Sequence, residues 1–309
     1  MAKNKKVAVI GDLFADHFTR IMQYPAEGES TQGTPFERIS GGCGGNIAAG
    51  MSVLGVDTYF FVRLGDDDVG RFLMDDLVKS GVHVDGIVLD KENASGITMI
   101  AIAPSGERSI WVLAKGSAYE KMVPEDLNYL EEIDPEIIFV SGVLLGTHPT
   151  EETILSEIPK WKGRATIYFD PNLRYPPDAV PEALKKAMQQ VSDISDVVFA
   201  GDVEMRALGL TPQKGQIFIE KFGKDGSSLI DPEGRTLIHV EATDHQATDT
   251  TGAGDAYAAA FLAAQLDGRS IEESMRFAAA ASGIVVTRFG ARTMPTKAEV
   301  EEYLQNGLC

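Results

Sequence analysis

The chain has 309 residues, of which 44% are hydrophobic and 24% are charged, and a chain of this length and composition buries a core without disulfide or metal cross-links. Its 46 acidic and 28 basic residues give a formal net charge of −18, which repels nucleic acid and anionic membranes. Two cysteines, Cys43 and Cys309, do not make a disulfide framework.

The first apolar run, Val7–Ile10, is too short for a signal-peptide core, and no run approaches the ~18 apolar residues of a membrane helix. We therefore expect a cytoplasmic protein that binds neither nucleic acid nor membrane.

Along the chain, short apolar runs alternate with amphipathic stretches of helical length. The runs that predict strands are Val7–Ile10, Tyr59–Val62, Ile137–Val140, Ala165–Phe169, Val197–Ala200 and Gln216–Ile219. The predicted helices span about 45–54, 69–80, 181–192, 253–266, 270–287 and 296–304. Strands that are apolar throughout are typical of a sheet covered on both faces, so the alternation predicts an α/β fold with a mainly parallel sheet.

Two segments interrupt this pattern. Ile97–Ala103 and Arg108–Leu113 flank a turn sequence and predict a β-hairpin, whereas residues 13–39 lack helical periodicity. Segments 13–39 and 96–113 form either one small β-rich lid or two separate surface excursions, and periodicity does not decide between them. No linker is evident, so residues 1–309 are predicted to form a single domain.

The most informative motif is Asp249-Thr250-Thr251-Gly252-Ala253-Gly254-Asp255, which precedes the helix predicted over 253–266. Small residues let the backbone turn tightly and direct N–H groups at one point, where the helix dipole also favours an anion. Such a loop stabilises the charge of a transferring phosphoryl group, and Asp255 beside it can accept a proton from an attacking hydroxyl. A glycine turn with a capping aspartate is the structural alternative.

A second glycine cluster, Ser40-Gly41-Gly42-Cys43-Gly44-Gly45-Asn46, precedes the first predicted helix. Four glycines in five positions let a ligand approach the backbone closely, and Asn46 can both donate to and accept from a polyol. A flexible turn is the alternative. Neither a dinucleotide fingerprint nor a G-x-x-x-x-G-K-[ST] phosphate loop occurs, and the scattered histidines do not predict a zinc site.

These motifs, taken in series, resemble those of the ribokinase-like, or PfkB-type, carbohydrate kinases. The segments that carry the resemblance are Gly11–Asp16, Gly41–Asn46, Gly65–Gly70, Asp170–Arg174 and Asp249–Asp255. Their order and spacing match from residue 7 to about residue 300. The resemblance implies a three-layer fold with a small β-rich lid, which closes over the sugar and frequently mediates dimerisation.

The resemblance also implies roles for residues at matching positions. Asp255 is expected to be the general base, with the backbone of Gly252, Ala253 and Gly254 as the anion hole. Asp16, Gly42 and Asn46 are expected to bind substrate. Residues expected near the nucleotide are Asn172, Arg174, Lys221, Gly223 and Gly226. Glu204 is expected to position Mg²⁺ through water, and the backbone near Asp249 and Thr251 to bind a monovalent cation such as K⁺. The expected reaction is transfer of a phosphoryl group from ATP to a hydroxyl of a small sugar.

The chain departs from the family pattern at several positions. Gly201 replaces the asparagine of the N-x-x-E element, and Lys221 stands where a threonine is usual. Phe14 and Cys43 replace the asparagine and lysine of ribokinases proper, which disfavours ribose as substrate. Phe14 and Cys43 can line an apolar wall against a sugar face or a base, so a nucleoside kinase is an alternative. A non-catalytic sugar sensor is a second alternative, which the intact segment 249–255 disfavours.

Overall fold

Two sheets of unequal size organise the computed structural model, which describes residues 5–243 and 246–306. The strands are β1 Lys6–Ile10, β2 Phe14–Arg20, β3 Glu37–Gly41, β4 Asp57–Gly65, β5 Ile87–Asp90, β6 Ile97–Ile102, β7 Arg108–Leu113, β8 Ile137–Ser141, β9 Thr166–Asp170, β10 Val197–Gly201, β11 Ile217–Lys221, β12 Ser227–Ile230 and β13 Thr236–Val240. The helices are α1 Cys43–Val53, α2 Asp68–Lys79, α3 Tyr129–Ile133, α4 Thr150–Glu157, α5 Glu182–Ile194, α6 Asp202–Leu208, α7 Ala253–Leu266, α8 Ile271–Val286 and α9 Lys297–Asn306.

The larger sheet has the order β13-β12-β11-β10-β9-β8-β1-β4-β5 and is parallel from β11 to β5. Its central strands are buried along nearly their whole length, as their continuous apolar sequences predict. The six predicted strands are confirmed. The sequence did not reveal β5, β12 and β13, which lie at the sheet ends; β13 is largely exposed and therefore lacks a continuous apolar signal.

The strand order reverses beside β1: from β1 the chain builds outward through β4 to β5, and from β8 it builds the other way through β9 to β11. Because parallel crossovers are right-handed, α4, α5 and α6 cover one face, and α1 covers the other together with α7 and α8. Ligand sites of such sheets lie beyond the carboxyl ends of the strands at this reversal. Four strand ends meet there, carrying Asp12, Ser141, Asp170 and Lys221.

The smaller sheet is the lid, with the order β3-β2-β6-β7. Its strands come from the two segments that lack helical periodicity, and β6 and β7 form the predicted antiparallel hairpin. The lid is thus one sheet rather than two excursions, and the expected layout of a mainly parallel sheet with a small β-rich lid is confirmed.

The six predicted helices are also confirmed, with ends shifted by one or two residues. Helix α1 begins at Cys43 rather than residue 45, because the carboxylate of Asp12 binds its first N–H groups. Helices α3, α4 and α6 were not predicted, and each has eight residues or fewer. Within 5–243 and 246–306, no helix has the length and apolar composition that a membrane crossing requires.

Candidate active site

The predicted Gly252–Asp255 loop forms the N-terminus of α7. Gly252 is the N-cap residue with φ of 78°, and a Cβ there would collide with Ala291, so only glycine fits this turn without strain. The helix that follows is buried on nearly every side. The N–H groups of Gly254 and Asp255 have no protein acceptor among the described residues, which leaves them available to an anion.

Asp255 lies in the first turn of α7 and is only 6% exposed. Its Oδ2 accepts a hydrogen bond of 2.8 Å from Nδ2 of Asn46, which lies on α1. Burial raises the pKa of Asp255 to about 7, and the negative charges of Asp170 and Asp12 act in the same direction, against the Asn46 hydrogen bond. A carboxylate with this pKa can exchange a proton near neutral pH.

The second glycine cluster forms the N-terminus of α1 and is organised by Asp12. The Asp12 carboxylate accepts from the backbone N–H groups of Cys43 at 2.9 Å and Gly44 at 3.1 Å, and from the hydroxyl of Ser141 at 2.9 Å. Gly42, the N-cap residue, has φ of 90° and lies against the backbone of Asp12. This end of α1 is therefore held to β1 and β8 at the strand reversal.

Asp16 projects from lid strand β2, opposite Ile39 of β3. Its carboxylate lies where a side chain at Gly41 would be, so that glycine makes room for it. Burial raises the pKa of Asp16, while a hydrogen bond from Thr98 and the charge of Arg292 oppose the shift. The lid thus brings a partly buried carboxylate towards Gly42 and Asn46.

Lys221 ends β11, and its ammonium donates to Oδ2 of Asp170 at 2.7 Å. Asp170 is fully buried, and its other oxygen, Oδ1, has no hydrogen-bond partner among the described residues. A Cβ on Gly254 would be 3.8 Å from Lys221 Nζ, so this cation lies beside the N-terminus of α7. The Lys221 ammonium thus lies at the predicted phosphate position of an otherwise acidic chain, with Asp170 as its counter-ion.

Arg174 follows β9 and is partly exposed, and its Nη2 contacts Sγ of Cys43. Burial raises the pKa of the Cys43 thiol well above its usual value, which favours a pocket-lining role over a nucleophilic one. Asn172 has a left-handed φ of 46°, and its side chain donates to the Asp170 carbonyl at 3.4 Å.

Both carboxylate oxygens of Glu204 accept hydrogen bonds from backbone N–H groups. Its Oε1 accepts from Leu173 N–H at 2.8 Å, and its Oε2 accepts from Gly201 N–H at 2.7 Å. Glu204 therefore joins α6 to the segment after β9. Its carboxylate also interacts electrostatically with Asp170 and Lys221.

The remaining predicted residues lie around this centre. Gly223 and Gly226 occupy the turn between β11 and β12, both with positive φ. The Asp249 carboxylate accepts from the N–H and hydroxyl of Thr251 and from Gly290 N–H, so it holds two loops together.

The structure adds residues that sequence reasoning missed. Asp12 was not singled out, because its partners are 31 to 129 residues away and no local pattern marks them. Arg292, which donates to Asn46, lies in an irregular segment without periodicity. Phe14, read from sequence as a pocket wall, is buried with its ring edge-on to Tyr119 at 5.0 Å between centroids, so packing uses much of its surface.

Comparisons with known proteins agree with this arrangement. A sequence model described as pfkB family carbohydrate kinase matches residues 4–298. An uncharacterised sugar kinase of Pyrococcus horikoshii is 30% identical over 303 residues, covering 96% of this chain and 95% of that protein. The ribokinase of Bacillus subtilis is 32% identical over 306 residues, covering 97% of this chain and 99% of that protein.

A solved structure of the Pyrococcus horikoshii kinase in complex with ATP superposes with a TM-score of 0.83 at 28% identity, covering 96% of this chain and 99% of that one. Because the family match spans nearly the whole chain and the structural match covers 96% of it, the ribokinase-like fold is confirmed, and this chain is an ATP-dependent carbohydrate kinase of the pfkB family.

Proposed function

We propose that this kinase transfers the γ-phosphoryl group of ATP to a hydroxyl of a small sugar or sugar derivative, with Asp255 as general base. The observation that carries the proposal is the position of Asp255, a buried carboxylate with a pKa of about 7 beside the open N-terminus of α7. The base then accepts the proton of the attacking hydroxyl, while the anion site stabilises the negative charge of the transferring phosphoryl group.

The anion hole in this proposal is the backbone of Gly252, Ala253 and Gly254, at the positive end of the α7 dipole. Lys221 adds a cation next to it, whose ammonium donates to Asp170. Fixed donors of this kind stabilise transition-state charge without having to reorganise during the reaction. Asn172, Arg174, Gly223 and Gly226 complete the nucleotide side in the proposal.

The residues of this site are also compatible with a Mg²⁺ ion that binds as a complex with ATP. Among residues 5–243 and 246–306, no cluster of three metal-binding side chains occurs, so a cage made of protein ligands is not available. Mg²⁺ is usually held by substrate phosphates, water and one or two carboxylates, where it neutralises phosphate charge. Glu204, anchored on both oxygens by backbone N–H groups, would hold it through water. The loop at Asp249 and Thr251 would hold a monovalent cation through its carbonyl groups.

For the acceptor, Asp16, Gly42 and Asn46 form the binding surface in the proposal. Asp16 lies on the lid and Asn46 on α1, so a sugar between them would contact both the lid and a helix that covers the larger sheet, and residues 1–309 would act as a single kinase domain. The nucleoside alternative relied on Phe14 and Cys43 as an apolar wall, but the Phe14 ring packs against Tyr119, which leaves mainly the small Cys43 side chain for such a wall. The geometry therefore favours a sugar or sugar derivative.

The experiment that tests this function is an ADP-release screen against sugars, sugar acids and nucleosides, followed by the same assay on Asp255→Asn. We expect turnover with a sugar or sugar derivative, free ribose as a poor substrate, and a kcat at least ~10²-fold lower in the variant. Nucleotide binding should persist. Near-normal kcat in Asp255→Asn would remove this residue from the mechanism, and strong sugar binding without turnover in the wild type would favour a sensor.

We also propose that the lid mediates a homodimer. Its edge strand β7 exposes Ile110, Trp111, Val112 and Leu113, with Met99 of β6 beside them. These five residues, termed the lid edge patch, combine exposed apolar side chains with an unpaired strand edge, and both features favour association.

Light scattering after size-exclusion chromatography tests the dimer. Val112→Glu should give monomers, because Val112 is 65% exposed within the lid edge patch. The matched control is Leu237→Glu, which changes a residue 60% exposed on β13, the edge of the larger sheet. A wild-type chain that is monomeric at all concentrations would contradict the proposal.

A further inference from the structure

Arg292 occupies a buried position between the lid side of the molecule and the proposed base. It lies in the loop between α8 and α9, and its Nε donates to Oδ1 of Asn46 at 3.3 Å. Its Nη1 forms an ion pair with Asp76 on α2. Since Nδ2 of Asn46 in turn donates to Asp255 at 2.8 Å, one chain of hydrogen bonds runs from α2 to the first turn of α7.

The chemistry of these groups fixes the direction of each bond. A carboxamide can be turned in two ways, which exchange its donor and acceptor ends. A guanidinium has only donors, so the Asn46 oxygen must face Arg292 and the nitrogen must face Asp255. In the opposite orientation the amide oxygen would face the Asp255 carboxylate, and the amide N–H groups would face the guanidinium. Arg292 therefore determines that Asn46 offers a donor to the base.

The packing around Arg292 is specific to this position. The side chain is 14% exposed, and its Nη2 lies where a side chain at Gly45 would be, so a glycine on α1 admits the guanidinium. Nη2 is buried without a hydrogen-bond partner in the described part of the chain. Burying a charged group with one donor unsatisfied is unfavourable, and Asp76 compensates for only part of this. A role in the reaction would explain why a buried arginine is tolerated here.

We infer that Arg292 is a positioning residue, which orients the Asn46 carboxamide so that one oxygen of Asp255 is held as an acceptor and the other stays free for the substrate hydroxyl. This inference rests on the proposed function of Asp255. Asp76 holds Arg292 from α2, whose N-cap residue Asp67 accepts hydrogen bonds from Ser95 immediately before lid strand β6. The chain of bonds thus begins on the helix that anchors the lid.

The charged and titratable groups around Asp255 all enter the expected pH behaviour. They are Asp12 after β1, Cys43 on α1, Asp170 after β9, Arg174 in the following loop, Lys221 on β11 and Arg292 itself. Removing Arg292 withdraws a positive charge and lets the Asn46 oxygen turn towards the base. Both changes favour protonated Asp255 and move its pKa upwards.

The test is the pH dependence of kcat/KM for the acceptor sugar in Arg292→Met. At pH 7 we expect a fall of about 10–100-fold, the scale for misplacing a catalytic group, and an acid limb displaced to higher pH. KM for ATP should be unchanged. Arg292→Lys, which keeps the charge but not the fork of donors, should give an intermediate loss. The control is Arg269→Met, which removes an arginine 23% exposed and paired with Glu301 on α9, and should leave the profile unchanged.

A double-mutant cycle separates positioning from simple stabilisation. In an Asn46→Ala background, Arg292→Met should cost little more, because its effect passes through the amide. An equal cost in both backgrounds, or a pH profile of Arg292→Met that matches the wild type, would overturn the inference. If Arg292→Met does not fold, Arg292→Lys and Asp76→Asn provide the same comparison. A wild-type chain that phosphorylates no acceptor would contradict the proposed function instead, so the two failures are distinguishable.

Discussion

Helices α1 and α7 both begin in glycine clusters and are joined by the Asn46–Asp255 hydrogen bond. They differ in whether the protein supplies hydrogen-bond acceptors for their first backbone N–H groups. The first N–H groups of α1 bind the side chain and the carbonyl of Asp12. Those of Gly254 and Asp255 on α7 have no acceptor among the described residues. Two glycine-rich helix starts can therefore look alike in sequence, and only the one without an internal acceptor is open to a phosphoryl group.

The sharpest test of this difference is a methyl group at the second residue of α7. Gly254→Ala should lower kcat by about 10²–10³-fold, the usual effect of losing one oxyanion contact, because the Cβ intrudes between the helix N-terminus and Lys221. Outside α7 and its own chain neighbours, Lys221 Nζ at 3.8 Å is the one atom of the described residues within 4 Å of this Cβ, so the melting temperature should not fall. Steady-state kinetics and thermal melting measure the two effects. Full activity in this variant would place the phosphoryl group elsewhere.

Next to the N-terminus of α1, the substitution with the largest expected effect is that of Asp16 on β2, and the effect is on substrate binding. Asp16→Ala should raise KM for the acceptor by about 10–100-fold, because a buried hydroxyl that loses its partner costs about 1–3 kcal/mol. The kcat value should change less than KM, in contrast to Gly254→Ala. Initial-rate kinetics over a range of acceptor concentrations separate the two parameters. An unchanged KM for the best acceptor would contradict the assignment of Asp16.

The same methyl group at the second residue of α1 should affect folding instead. A Cβ at Gly44 would come within 3 Å of the backbone of Gly11 and Asp12, so Gly44→Ala should lower stability by about 1–3 kcal/mol. For a chain of this size the melting temperature should fall by several degrees. Denaturant unfolding gives the free energy, with Gly254→Ala as the matched control. Equal stability of the two variants would remove the distinction between these helix starts.

The smallest expected effect is that of pH on the wild type. As the proposed general base, Asp255 has to be ionised, and a pKa of about 7 leaves it half ionised at pH 7 and about one-tenth ionised at pH 6. Activity should therefore rise with pH, with kcat/KM about fivefold lower at pH 6 than at pH 7. A rate profile from pH 5 to 9 in a constant-ionic-strength buffer measures this, and a flat profile down to pH 5 would contradict the raised pKa.

The sequence predicted much of this arrangement because the relevant signals are local. Apolar runs located the central strands, and the segment 249–255 located the start of α7 with its turn glycine and its acid. The sequence indicated the two segments of the lid but not that they pair in one sheet, since the pairing of β2 with β6 joins residues about 80 apart. Phe14 shows the same limit: its type predicted an apolar wall, but its contact with Tyr119 depends on chain 105 residues further on.

The missed residues share one physical cause. Asp12 and Arg292 both bind partners that are far away in the sequence. The backbone partners of the Asp12 carboxylate lie on α1, and the partners of Arg292 lie on α1 and α2. A single aspartate after a strand or a single arginine in a loop has no periodicity or spacing that indicates such partners. Their importance emerges only when the sheet reversal brings the strand ends and helix starts together.

The burial of Asp255 also affects how the protein folds. Its pKa is about 7 in the folded chain against an ordinary value of 3.8, so the folded state binds a proton more tightly than the unfolded state does. Its contribution to stability is therefore most favourable below pH 4, declines as the pH rises towards 7, and is then unfavourable by a few kcal/mol at most. Above neutral pH, Asp255→Asn should melt at a higher temperature than the wild type, and the difference should narrow in acid. With Asp255 as the proposed general base, the chain would fold most stably in the protonation state that is inactive, because folding favours the proton that the proposed base has to lose.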